Sequence, residues 1–93
     1  MATARARHIL VDTEETAQDL KTRIEGGEKF TDMAREFSSC PSGKKGGDLG
    51  DFGPGQMVKE FDEAVFTSAV GEVLGPIKTQ FGYHLIEVTS RAD

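Results

Sequence analysis

The two histidines of this sequence each lie in a hydrophobic run near one end of the chain. His8 belongs to the run 6–11, and His84 belongs to the run 81–88. β-Branched and aromatic residues pack better on a sheet than histidine does, and the imidazole ring titrates near neutral pH. A histidine on a sheet face is therefore unusual. Two such rings on terminal strands predict one polar position within an apolar sheet. That position is either a structural hydrogen-bonded pair or the floor of a functional site.

Cys40 is the single cysteine, and the two histidines could polarise it for nucleophilic chemistry. A lone cysteine is more often an inert packing residue, and Cys40 follows a predicted helix rather than beginning one. There is no second cysteine for CxxC redox chemistry or for an intrachain disulfide. The cysteine and the histidines also lack zinc-motif spacing, so a three-ligand metal site is the less favoured alternative. We expect no metal and no other cofactor.

Met57 and Phe61 are spaced i, i+4 at the start of a predicted helix and therefore share one helix face. Both side chains could belong to the core, which is the commoner outcome for such a pair. However, Met57 follows the polar loop 53–56, so the two could instead line an apolar pocket that is open to solvent. Phe81, at the start of the final strand, could form a third wall of that pocket.

Ninety-three residues with 37% hydrophobic content predict a single α+β domain over 1–93. The formal net charge of −5 argues against nucleic-acid binding, and Lys44-Lys45 beside Arg35 is the only candidate basic patch. No apolar run is long enough for a signal peptide or a membrane span. Together with the lone cysteine, these features favour a cytoplasmic protein.

Hydrophobic periodicity predicts the order strand, two helices, short strand, helix, two strands, which is typical of an antiparallel α+β sheet. The strands are expected near 5–11, 49–52, 75–79 and 82–90. The helices are expected from a cap at Asp12-Thr13 to Gly26-Gly27, at 30–38 and at 58–68. Their expected buried stripes are Ala17, Leu20 and Ile24; Phe30, Met33 or Ala34, and Phe37; and Phe61, Val65 and Ala69.

Several motifs, taken in order, resemble the parvulin family of peptidyl-prolyl cis/trans isomerases, and the closest likeness is to small bacterial-type stand-alone members. The matching stretches are 8–11, 38–42, 46–50, 55–58, 61–66, 70–76 and 79–84. The resemblance implies a four-stranded antiparallel sheet wrapped by four helices in the order βαααβαββ, including a short helix after Cys40. It also implies a prolyl pocket of Leu49, Met57, Phe61 and Phe81, a polar centre of His8, Cys40, Thr79 and His84, and Gln56 at the rim.

The resemblance implies non-covalent isomerisation of X–Pro bonds in proline-containing peptides and in unfolded or partly folded proteins. We expect a monomer that assists folding, without nucleic-acid or membrane partners. Phosphate-directed parvulins carry a basic cluster after the first strand, whereas the stretch 11–15 is acidic here, so we expect no phosphate requirement. Two alternatives stay open: a client-binding module with little turnover, and a thiol enzyme that uses Cys40.

Overall fold

The computed structural model describes residues 2–92, in which four strands form one sheet. The strands are β1 (Thr3–Val11), β2 (Asp48–Phe52), β3 (Val73–Thr79) and β4 (Gly82–Ala92). The helices are α1 (Glu14–Glu25), α2 (Phe30–Phe37) and α3 (Lys59–Thr67), and Pro41–Lys45 forms a short 3₁₀ helix. If the 3₁₀ helix is counted, this is the βαααβαββ order that the resemblance implied, and the α+β class is confirmed.

The first and last strands are neighbours at the centre of the sheet. The strand order is β2-β1-β4-β3, and every pair of neighbours is antiparallel. In the β1–β4 register, His8 is opposite Ile86 and Leu10 is opposite His84. Directly opposed residues of an antiparallel pair point to the same side of a sheet. Both histidines therefore lie on one face, on adjacent strands.

Each face of the sheet has its own hydrophobic cluster. Helices α1 and α2 cover the face that carries Ile9, Val11 and Leu85. Helix α3 contributes Phe61 and Val65 to the opposite cluster. That second cluster also contains Ala4, Ala6, Phe52, Ile86 and Val88. The histidines share its side of the sheet, so α3 is the helix that can place side chains over them.

Local signals set the ends of the helices. Thr13 caps α1, because its side-chain oxygen accepts a hydrogen bond from the Thr16 amide at 3.2 Å. The same helix ends at Gly26, as predicted, and Ala17 and Leu20 on its inner face are buried. None of the helices within residues 2–92 has the length and the hydropathy needed to cross a membrane.

Two residues of the predicted buried stripes are exposed instead. Phe37 is the last residue of α2 and remains 36% exposed to solvent. The Arg23 guanidinium lies 5.4 Å from the centroid of its ring. Ala69 lies beyond α3, which ends at Thr67 because Ser68 is already extended. Both predictions were wrong for the same reason: helical spacing was continued to or past the last residue of a helix, where the backbone leaves the core.

Candidate active site

The two histidines form a stacked, hydrogen-bonded pair beneath α3. The Nδ1 atoms of His8 and His84 are 3.1 Å apart, and the ring centroids are 5.2 Å apart with an interplanar angle of 19°. The residues are 6% and 4% exposed. Phe61 packs edge-on against both rings, at centroid distances of 5.8 and 6.0 Å. The sequence left open whether the pair is structural or forms the floor of a site, and this geometry permits both.

Hydrogen bonds extend from both ends of the histidine pair. His84 Nε2 is 2.8 Å from Thr79 Oγ1, which also accepts a hydrogen bond from the Phe81 amide at 3.1 Å. His8 Nε2 is 3.1 Å from Ser42 Oγ, and Ser42 donates to the Cys40 Sγ at 3.2 Å. The complete series of hydrogen bonds runs from the Phe81 amide through Thr79, His84, His8 and Ser42 to Cys40.

The direction of the Ser42–Cys40 contact favours one proton arrangement for the two rings, in which His8 donates to Ser42 and Ser42 donates to the thiol. In this arrangement Thr79 accepts from the Phe81 amide and donates its hydroxyl proton to His84 Nε2. His84 then carries its proton on Nδ1 and donates it to His8 Nδ1. His8 carries its proton on Nε2 and donates it to Ser42 Oγ, whose own proton remains for the thiol. Every contact in this arrangement has one donor, and both rings are neutral.

Burial lowers the pKa of both rings and so favours their neutral forms. Desolvation and, secondly, the neighbouring His84 lower the pKa of His8 from 6.5 to about 4. Burial also lowers the pKa of His84. A proton added to either ring would have to displace a hydrogen bond and would lie in an apolar environment. The pair therefore acts as a hydrogen-bonded scaffold at physiological pH and not as a titrating couple.

A glycine brings the 3₁₀ helix close enough to β1 for Ser42 to reach His8. The His8 amide donates to the Gly47 carbonyl at 2.9 Å, and Gly47 has a φ of +85°. A Cβ atom at this position would lie 2.3 Å from the His8 carbonyl oxygen. Only glycine permits this approach. The glycine-rich segment thus positions Cys40 and Ser42 over the first strand.

Above the histidines is an apolar cavity of about 260 Å³ that opens to solvent. Its lining residues are His8, Leu10, Cys40, Leu49, Met57, Val58, Phe61, Phe81 and His84. Phe61 also belongs to the core, whereas Met57 is half-buried and Phe81 is 61% exposed. Since ligand cavities for larger molecules measure roughly 300–1,000 Å³, this one suits a single small apolar side chain.

The structure brings seven of the predicted site residues to this cavity and leaves two outside it. Thr79 lies behind His84 as its hydrogen-bond partner. Gln56 is exposed and does not line the cavity, because its side-chain oxygen accepts a hydrogen bond from the Gly53 amide at 2.9 Å. Among residues 2–92, no group of three or more His, Cys, Asp or Glu side chains is arranged to hold a metal ion.

Sequence reasoning missed three residues of the site. Leu10 shares a strand face with His8, so the two-residue alternation could have identified it. Val58 directly follows Met57 and gave no separate signal. Ser42 reaches the site only because of the 3₁₀ helix, which no periodic pattern predicts.

Residues 1–92 match the family described as the PPIC-type PPIase domain, and the chain belongs to that family. The parvulin resemblance is thereby confirmed. The foldase protein PrsA of Geobacillus kaustophilus (strain HTA426) is 53% identical over 88 residues, which cover 94% of this chain and 31% of PrsA. The chain therefore spans about a third of the length of that curated relative.

Solved structures show the same fold. The structure of NmPin, the parvulin of Nitrosopumilus maritimus, has a TM-score of 0.87 and 42% identity, and the match covers 97% of this chain and 98% of NmPin. The PrsA peptidylprolyl isomerase of Bacillus anthracis has a TM-score of 0.96 and 35% identity, with 99% of this chain and 43% of PrsA covered. The likeness thus extends to a domain-sized parvulin and to part of a larger foldase.

Proposed function

We propose that this chain accelerates cis/trans isomerisation of X–Pro bonds in protein clients, without a covalent intermediate, and so assists folding. The observation that carries the proposal is the apolar cavity, whose size suits a proline ring and whose floor is a neutral, hydrogen-bonded histidine pair. Membership of the PPIC-type family supports the same activity.

Rotation about an X–Pro bond needs no bond to break, but it faces a barrier of roughly 18–20 kcal/mol that arises from amide resonance. A twisted amide has lost that resonance and is less polar than a planar one. A cavity that holds the ring between Leu49, Met57 and Phe61, away from water, therefore favours the twisted state over the planar ground state. Cys40 borders the cavity and provides a polar wall beside the amide.

The geometry favours this role for Cys40 over that of a nucleophile. Among residues 2–92, no hydrogen bond joins Cys40 directly to a histidine, and Ser42 lies between Cys40 and His8. A ring whose pKa is about 4 is also a weak base for removing a thiol proton. The thiol-enzyme alternative therefore lacks the activated base that such chemistry requires.

We propose that no phosphate is needed on the residue before proline. The segment that follows β1 carries Asp12, Glu14 and Glu15, all exposed, and it contains no lysine or arginine. These carboxylates would repel a phosphate group brought next to them. Phosphothreonine before proline should accordingly give no gain in kcat/KM over threonine.

The test is an isomerisation assay on X–Pro peptides with two matched methionine variants. Met57→Ala removes a cavity wall and should lower kcat/KM at least about tenfold, because the lost contacts hold the ring in the twisted state. Met33→Ala makes the same chemical change in the core on the other face of the sheet. It should cost about 2–5 kcal/mol of stability and leave kcat/KM of the folded protein unchanged. Equal activity of wild type and Met57→Ala would refute the cavity assignment.

A client-binding module with little turnover is the second candidate, and the exposure of Phe81 favours it. This ring is 61% exposed at the mouth of the cavity, where it can contact an unfolded chain without any isomerisation. In that case Phe81→Ala would weaken client binding, while wild type would leave the isomerisation rate of every peptide unchanged.

We further propose a cytoplasmic monomer. The free thiol of Cys40 and the lack of any possible intrachain disulfide support a reducing compartment. Cell fractionation tests the location, and sedimentation equilibrium tests the monomeric state. A protein found outside the cytoplasm, or a stable dimer at micromolar concentration, would contradict this proposal.

A further inference from the structure

A second cavity, of about 340 Å³, adjoins the first and shares Cys40 with it. Arg35 lines it from the last turn of α2, and Lys44 lines it from the last turn of the 3₁₀ helix. The pocket thus places two cations beside the residue that we assign to the amide wall. Arg35 and Lys44-Lys45 formed the only candidate basic patch in the sequence, and no ligand was assigned to that patch.

These cations are available to a ligand. Arg35 has one carboxylate partner, Asp32 at 3.6 Å, and both side chains are more than half exposed, so the pair is a loose one. Lys44 forms no ion pair with any other residue of the range 2–92. The other carboxylate of this helix turn, Glu36, acts on Arg23.

Backbone amides around the second cavity are already satisfied. The Ser39 amide donates to the Leu10 carbonyl at 2.8 Å, and the Ser38 hydroxyl oxygen accepts from the amides of Leu10 and Cys40. These amides are therefore not free to hold an anionic group. The cationic groups that line the cavity are the side chains of Arg35 and Lys44.

We propose that this cavity is a specificity subsite that receives a carboxylate side chain, Asp or Glu, of the client close to the isomerised proline. The inference rests on the proposed function, because it uses the position of the proline ring over the histidines. A substrate chain that leaves the apolar cavity past Cys40 must cross the second cavity. In a protein of net charge −5, this local positive region discriminates among clients by their charge.

The experiment uses a series of alanine-rich peptides, each with one proline and one Glu. The Glu is placed in turn at the three positions before proline and the two positions after it, and each peptide has a matched version with Gln at the same position. Exchange spectroscopy gives kcat/KM at low and at high salt. We expect one position at which Glu is preferred over Gln about fivefold, as two partly exposed charge pairs allow. That preference should disappear at high salt and in the Arg35→Gln/Lys44→Gln variant.

The control variant is Arg23→Gln/Lys29→Gln, which removes the same charges at residues that line neither cavity. It should retain the preference for Glu. Equal rates for Glu and Gln at every position, or a preference that survives Arg35→Gln/Lys44→Gln, would overturn the subsite. A phosphoserine peptide that is accelerated while Glu and Gln stay equal would also overturn it, since the site would then select phosphate. If wild type accelerates no Gln peptide, the proposed function itself fails, which distinguishes the two failures.

Discussion

Lowering the pH from 7 to 5 should destabilise this protein through the buried histidine pair. The folded state holds the pKa of His8 at about 4, and the pKa of His84 is also lowered. In the unfolded chain both rings return to about 6.5 and take up protons as the pH falls below that value. The unfolded state then binds more protons than the folded state, so stability falls with falling pH, and the His8 contribution ends near pH 4, where the folded ring is itself protonated.

The magnitude follows from the same pKa values. For His8 alone, the greater proton uptake of the unfolded state lowers the free energy of unfolding by about 2 kcal/mol between pH 7 and pH 5. His84 adds a contribution of the same sign. For a small domain with a stability of roughly 5–15 kcal/mol, this is a large fraction. The chain has no other histidine that could add to this effect.

Urea unfolding at several pH values measures this effect. The reference is His8→Asn/His84→Asn, whose lower stability should change little between pH 7 and pH 5. The carboxylate of Asp48, whose pKa Arg5 lowers to about 2, stabilises the fold throughout this range, and that contribution is lost only as the pH falls from 3.8 toward 2. If the reference does not fold, imidazole NMR titration of wild type gives the two pKa values directly. A stability that is unchanged from pH 7 to pH 5, or rings that titrate near 6.5, would refute the reasoning.

Three further outcomes are expected. Isomerase activity should be nearly constant from pH 6 to pH 8, because His8, with a pKa of about 4, stays neutral and no proton is transferred to the substrate. A steep bell-shaped profile in assays across that range would support acid–base catalysis instead. Cys40→Ala should keep a measurable part of kcat/KM, whereas loss by several orders of magnitude would indicate a nucleophile. Gly47→Ala should lower the free energy of unfolding, measured in urea, by several kcal/mol more than Gly50→Ala does. Both glycines have a positive φ, but a Cβ atom would meet the His8 carbonyl only at Gly47. Equal losses of stability would contradict the close approach.

The periodic parts of this protein could be predicted from its residues alone. Strand alternation placed His8 and His84 on sheet faces, and helical spacing found the buried sides of α1 and α3, because a regular backbone repeats its side-chain directions. The order of the motifs indicated the family. These features were predictable because each depends on residues that are close in the chain.

The hydrogen-bond partners of the two histidines, and the shifts in their pKa values, depend instead on contacts between distant parts of the chain. Ser42 meets His8 because Gly47 lets an aperiodic segment approach β1, and no local pattern encodes that contact. The lowered pKa of His8 depends on burial beneath Phe61, which is distant in sequence. The second cavity likewise exists only where the end of α2 meets the 3₁₀ helix. The sequence supplied the groups, but their chemistry depends on long-range packing that removes water and sets the distances between them.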